Sequence, residues 1–268
     1  MMQKRSLYSL FILSFILLFS SCEELIDVDL NEVNQQIVIV GDMNNEESTH
    51  EVLVTRTVDF DEPRPFEPVL DASVFIQLGN GRTFRFNSVG EGRYANSNMP
   101  ISVGETYTLT VSVDGKEYKS TTKMLPYIEV ESIGVNQETL FKETYFFLNF
   151  KFYDPEGEEN YYRYSIKIND GPFKSNSVFS DKYNNGNEVT HQLGREYGNE
   201  IKPGDKLLVR RYVISKESFN YWSEYMSTNP GSASPGNPSS NISNGALGYF
   251  SVSSARDYTV EIDKASEG

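Results

Sequence analysis

Cys22 is the only cysteine in the 268 residues, and its surroundings define the chemistry its thiol can undergo. Lys4 and Arg5 give a positive start, Leu7 to Phe19 is almost wholly apolar, and Phe19-Ser20-Ser21 supplies small residues before the cysteine. That order is the layout of a bacterial lipoprotein signal, in which the thiol takes a diacylglycerol, the chain is cut before it and the new amine is acylated. A membrane-crossing helix needs about 20 apolar residues. The stretch here is shorter and broken by Ser9 and Ser14, and it suits the roughly 7–15 residue apolar region of a cleaved signal. The competing account is a free thiol, a liability in an oxidising compartment. With no second cysteine, no intrachain disulfide forms and stability must come from an apolar core.

One acyl chain holds a protein at a membrane only marginally, whereas two or more hold it stably. Cleavage would remove Lys4 and Arg5 and no acid, taking the net charge from −14 to −16. Glu23, Glu24, Asp27, Asp29 and Glu32 follow the anchor as an acidic tether. Such a charge argues against nucleic acid, whose binding draws on a basic face, and against docking on anionic lipid by charge.

Other reactive constellations are sparse. His50 and His191 are the only histidines, and no Gly-x-Ser-x-Gly elbow provides a serine nucleophile beside either. Both read as strand or surface residues. A histidine zinc site fails for want of ligands, and glycine-rich phosphate loops are absent. Asp59, Asp61 and Glu62 form one acidic group and Asp154, Glu156, Glu158 and Glu159 another. Neither has the regular spacing of a calcium loop, and both read as solvated turns. No catalytic residue, metal or cofactor is expected.

Aromatic residues offer binding chemistry instead. Tyr145, Phe147 and Tyr153 share one face of a strand whose other face carries Phe146, Leu148, Phe150 and Phe152. Either both faces are covered or the first is a platform for stacking on a small ligand. Tyr183 and Tyr197 lie in polar, glycine- and asparagine-rich surroundings and are further candidates.

The elements that would carry these residues are strands. Val52 and Val54, then Val74, Ile76 and Leu78, then Tyr107, Leu109, Val111 and Val113 alternate with polar neighbours. Gly79-Asn80-Gly81 and Asp114-Gly115 suit tight turns. Pro63, Pro65 and Pro68 keep 61–68 out of any central strand. The fold expected is all-β, with two consecutive β-sandwich domains of immunoglobulin or transthyretin type: 36–125 and 126–263, after a signal 1–21 and a tether 22–35. One short helix, 215–227, is expected in the second, with Ser215 as N-cap and Phe219, Trp222 and Met226 as its apolar stripe. The Pro/Gly/Ser/Asn-rich loop 229–244 is long enough to be functional, and Asn237, Pro238 and Asn241 are its candidate partner contacts.

Several segments together carry a family resemblance. They are Leu25-Ile26-Asp27-Val28-Asp29-Leu30, Tyr153-Asp154-Pro155-Glu156-Gly157, Gly236-Asn237-Pro238, Ser240-Asn241-Ile242 and Gly245-Ala246-Leu247-Gly248-Tyr249-Phe250. In order and spacing they resemble the domain-of-unknown-function 4249 lipoproteins of Bacteroidetes-type bacteria, over nearly all of the mature chain. Pro238-Ser239-Ser240 departs from the Asn-Pro-Pro-Ser common in that loop. The resemblance implies a two-domain, β-rich, lipid-anchored outer-membrane protein that accompanies a TonB-dependent receptor in nutrient capture. It assigns no catalytic or ligand residue. The alternative expectation is a structural or adhesive envelope protein, and the favoured location is the cell surface.

Overall fold

The computed structural model describes residues 35–58, 66–140, 142–194, 201–228 and 236–263, so Cys22, Asp59, Asp61, Glu62, Tyr197 and loop positions 229–235 lie outside the described residues. Among the described residues, fifteen strands and one helix make the architecture all-β. In chain order the first eight strands are β1 (Ile37–Asn44), β2 (His50–Arg56), β3 (Glu67–Pro68), β4 (Ser73–Leu78), β5 (Thr83–Gly90), β6 (Arg93–Asn96), β7 (Thr106–Val113) and β8 (Lys116–Lys123). Then come β9 (Val130–Leu140), β10 (Glu143–Tyr153), β11 (Tyr161–Ile168), β12 (Lys174–Ser180), β13 (Glu188–Leu193), β14 (Lys206–Ile214), the helix α1 (Lys216–Thr228) and β15 (Leu247–Glu261).

Alternation decides which side chains enter the cores. In β7, Tyr107, Leu109, Val111 and Val113 are buried and the residues between them are not, because successive strand side chains point to opposite faces. These join Ile37, Ile39, Val52, Val54, Val74 and Ile76 in a first core. A second core gathers Phe146, Leu148, Phe150 and Phe152 of β10 with Tyr162, Tyr164 and Ile166 of β11 and Leu207 and Val209 of β14. Before the boundary expected from the sequence, the first core takes residues up to Met124, but it also takes Ile242, Ala246, Phe250 and Val252 from far beyond it, while Leu125 packs against the second core.

The sheets do not stop at that boundary. A twelve-stranded sheet runs β12-β11-β14-β15-β1-β2-β6-β5-β4-β7-β8, with β3 beside β2, and a three-stranded sheet runs β13-β10-β9. The strand that joins the halves is β15. Its first part, Leu247 to Ser253, lies parallel to Val38 to Asn44 of β1. Its second part, Ser254 to Glu261, lies antiparallel to β14.

Two asparagine side chains hold this strand, one of them just past the point where its pairing changes. Asn45 donates from Nδ2 to the Ala255 carbonyl at 3.0 Å and accepts the Ala255 amide on Oδ1 at 2.7 Å. Asn241 does the same for Phe250, at 2.8 and 2.9 Å. Each carboxamide stands in for a backbone peptide and satisfies a donor and an acceptor. Gly248 has φ +90° and sits so close to β1 that an added Cβ would fall on the Ile39 carbonyl oxygen.

The helix starts at Lys216, one residue later than expected, with the Ser215 hydroxyl accepting from the Ser218 amide at 3.3 Å. Phe219 packs against Tyr161, Tyr212 and Ile214 on the outer face of the large sheet. The stripe is less buried than the sequence suggests: Ser218 is the only fully buried residue of α1, and Trp222 is half-buried over a charged side chain.

Candidate functional site

Along β1 the face opposite Ile37, Ile39 and Met43 carries Val38, Val40, Asp42 and Asn44. On this outer face the loop between β1 and β2 rises over the sheet and leaves an open cavity of about 650 Å³. Val40 and Leu53 give it apolar lining, and Asp42, Glu46, Glu47, Glu51 and Arg93 give it charge. It occupies β1, β2 and β6, beside the strand that links the two halves.

Its carboxylates are largely matched by guanidinium groups. Arg93 reaches Glu51 at 3.1 Å. Arg210 grips Asp257 through two bonds of 2.7 and 3.0 Å and Glu47 through a third of 2.6 Å. Arg163, from β11, donates to Asp42 at 2.7 Å. Glu46 accepts from Nδ2 of Asn45 at 3.1 Å. Arg210 is itself oriented by its two-bond grip on Asp257, while Asp42, Glu47 and Glu51 each take a single guanidinium bond.

Arg163 is the deepest of these groups, with 2% of its side chain exposed. Its guanidinium lies 4.1 Å from the Tyr212 ring centre and 4.8 Å from that of Trp222. Burial works against its charge, but the Asp42 carboxylate and the Tyr249 and Tyr212 hydroxyls outweigh burial and hold its pKa above the ordinary arginine value. Tyr221 of α1 stacks on Tyr249 at 4.3 Å, so the helix covers Arg163 and Tyr249.

A second polar group lies inside the second core. Arg211 is fully buried, donates to Tyr164 at 3.0 Å and to the Ile128 carbonyl at 2.6 Å, and lies against the rings of Phe152 and Tyr162. His191 shares a hydrogen bond with Tyr164 at 2.9 Å and stacks on Phe179 at 4.0 Å. Burial, then the nearby Arg211 charge, pushes the His191 pKa down to about 3. The ring is therefore neutral at physiological pH and serves the core, as the strand-residue expectation has it. His50 is also buried, and burial lowers its pKa.

The acidic turn divides. Asp154 faces inward with no exposure and accepts from the Tyr162 hydroxyl, burial raising its pKa. Glu159 points outward to Lys216 at 2.9 Å. Among the described residues no three acidic, histidine or cysteine side chains are grouped to hold a metal ion.

The proposed aromatic platform is not one exposed surface. Phe147 is 6% exposed, Tyr145 is half-buried, and Tyr153 is 58% exposed, donating its hydroxyl to the Gly186 carbonyl at 2.8 Å. Among the described large hydrophobic side chains Tyr183 is the most exposed, at 85%. In the loop before β15, Asn237 is exposed and Pro238 half-buried, while Asn241 is spent on Phe250. Sequence reasoning passed over Arg163, Arg211 and Asn45. A signal existed for the first two: arginines inside strands as apolar as Tyr161-Tyr162-Arg163-Tyr164 and Leu207-Leu208-Val209-Arg210-Arg211-Tyr212-Val213-Ile214 require buried partners.

The sequence model described as "Domain of unknown function (DUF4249)" matches residues 23–259, and the chain belongs to that family. No curated protein matches it.

Proposed function

We propose that this DUF4249 protein is a lipid-anchored binding protein of the bacterial outer membrane, displayed on the surface and serving a TonB-dependent transporter in nutrient capture. The observation that carries the reading is the order of positive start, apolar stretch, small residues and Cys22 in the first 22 positions. The match beginning at residue 23 is in keeping with a mature chain that starts at the cysteine. An open cavity with paired charges at its rim and its floor on β1, β2 and β6 supports binding as the activity, since the strand-borne part of a site holds its geometry better than a loop does. The cavity on β1, β2 and β6 is the place we assign to ligand or receptor contact.

Gentle purification through a C-terminal tag is expected to recover a β-barrel receptor together with the protein. Recovery of the chain alone would overturn the transporter role. Mass spectrometry of the membrane fraction is expected to find Cys22 as the first residue, carrying a diacylglycerol and an N-acyl chain. An unmodified start at any other position would remove the anchor.

A further inference from the structure

We propose that the parallel pairing of β1 with β15 is a shear clamp, through which the folded unit bears load arriving along its N-terminal tether. Use of the clamp in the cell rests on anchoring at Cys22; the mechanics themselves rest on the strand geometry alone.

Load from the tether enters at Gln35 and pulls β1 from its first residue, Ile37. The neighbour that must resist is β15, whose far half is fastened to β14 and the second core. Because β1 and β15 run in the same direction over seven residue pairs, the pulled end of β1 and the held end of β15 lie at opposite ends of the ladder. Pulling makes the strands slide along each other. Evenly spaced parallel bonds then take the load together, whereas strands pulled apart from a shared end surrender their bonds one at a time.

Three further contacts reinforce the ladder, two of them towards its far end. The Asn45 carboxamide holds both backbone groups of Ala255 just beyond the last pair, Asn44 with Ser253. Arg163 ties Asp42 of β1 directly to β11. Packing of Gly248 against the Ile39 carbonyl removes the gap that a side chain would open near the start of β15.

The same strand supplies an internal control. Its last part pairs antiparallel with β14, Glu261 facing Lys206, so Pro203 and Asp263 flank a shared end. Pulling those two apart peels β15 from β14.

The test is single-molecule pulling on residues 22–268 carrying Cys22→Ser, with handles on Gln35→Cys and Asp263→Cys, or on Pro203→Cys and Asp263→Cys. All three handle sites are exposed. The first pair is expected to need a several-fold higher force than the second at the same pulling rate. Equal forces would overturn the clamp. Asn45→Ala is expected to lower the force along the first axis and leave the second unchanged; an equal fall on both axes would mean general weakening and would also overturn it. These outcomes are independent of lipidation, so a strong clamp with an unmodified Cys22 would sink the anchor and leave the mechanics standing.

Discussion

Asp42 and Arg163, 121 residues apart in the chain, meet at 2.7 Å on the outer face of the large sheet. Asp42 belongs to the strand that starts the first core and Arg163 to a strand of the second. Their pairing joins the two halves at a point the backbone ladder also crosses, through β14 and β15.

The two ends of this pair should respond differently to mutation. Asp42→Ala leaves a deeply buried guanidinium without its countercharge and should cost about 3–5 kcal/mol. Arg163→Met should cost less, because Asp42 retains 28% side-chain exposure and can hydrate. Urea midpoints at constant slope check this; a larger loss for Arg163→Met would contradict it.

Acid should destabilise the protein through His191. Its folded pKa of about 3 lies below the ordinary 6.5, so the unfolded chain binds the proton first as pH falls. Its contribution is complete above pH 6.5 and is lost from there down towards about 3. The slope should approach about 1.4 kcal/mol per pH unit within that window. Asp154, raised by burial, acts with the opposite sign and loses stability as pH rises. The difference between wild type and His191→Gln isolates the histidine, and the variant should show the flatter acid limb in unfolding free energy against pH.

Gly248→Ala should cost about 3 kcal/mol, since the methyl would displace backbone at a contact between β1 and β15. Gly81→Ala has a similar positive φ with nothing within 4 Å, and should cost only about 1–2 kcal/mol. Thermal unfolding of the two variants side by side checks the ranking, which similar losses would contradict.

Asn241→Ala removes two backbone bonds at Phe250 and should cost about 1–3 kcal/mol. Asn237, exposed in the same loop, should tolerate alanine with no measurable loss of stability. If receptor binding is found, only Asn237 can be scored as a contact without a stability correction.

Local pattern was a good guide wherever a strand had one wet and one dry face. The inward residues of β4 and β7, the turns at Gly79-Asn80-Gly81 and Asp114-Gly115, and the helix to within one residue are all legible. Short or polar strands are not. Arg93–Asn96 has four residues, and Val130–Leu140 lies at a sheet edge with most of its described side chains exposed, so neither shows alternation. Trp222 sits at helical spacing for a core residue, yet it covers Arg163, because spacing reports a shared face and not what that face meets.

By itself the sequence determined the all-β class, the inward side of the well-patterned strands, the lack of disulfide support and the family. These are consequences of side-chain type and a period of two. Only the tertiary structure decided that β15 serves both cores, that Arg163 reaches Asp42, and that Asn45 and Asn241 act as pieces of backbone. Those pairings join residues distant in the chain, and a hydrogen-bonding group in a sequence carries no record of which distant partner will satisfy it.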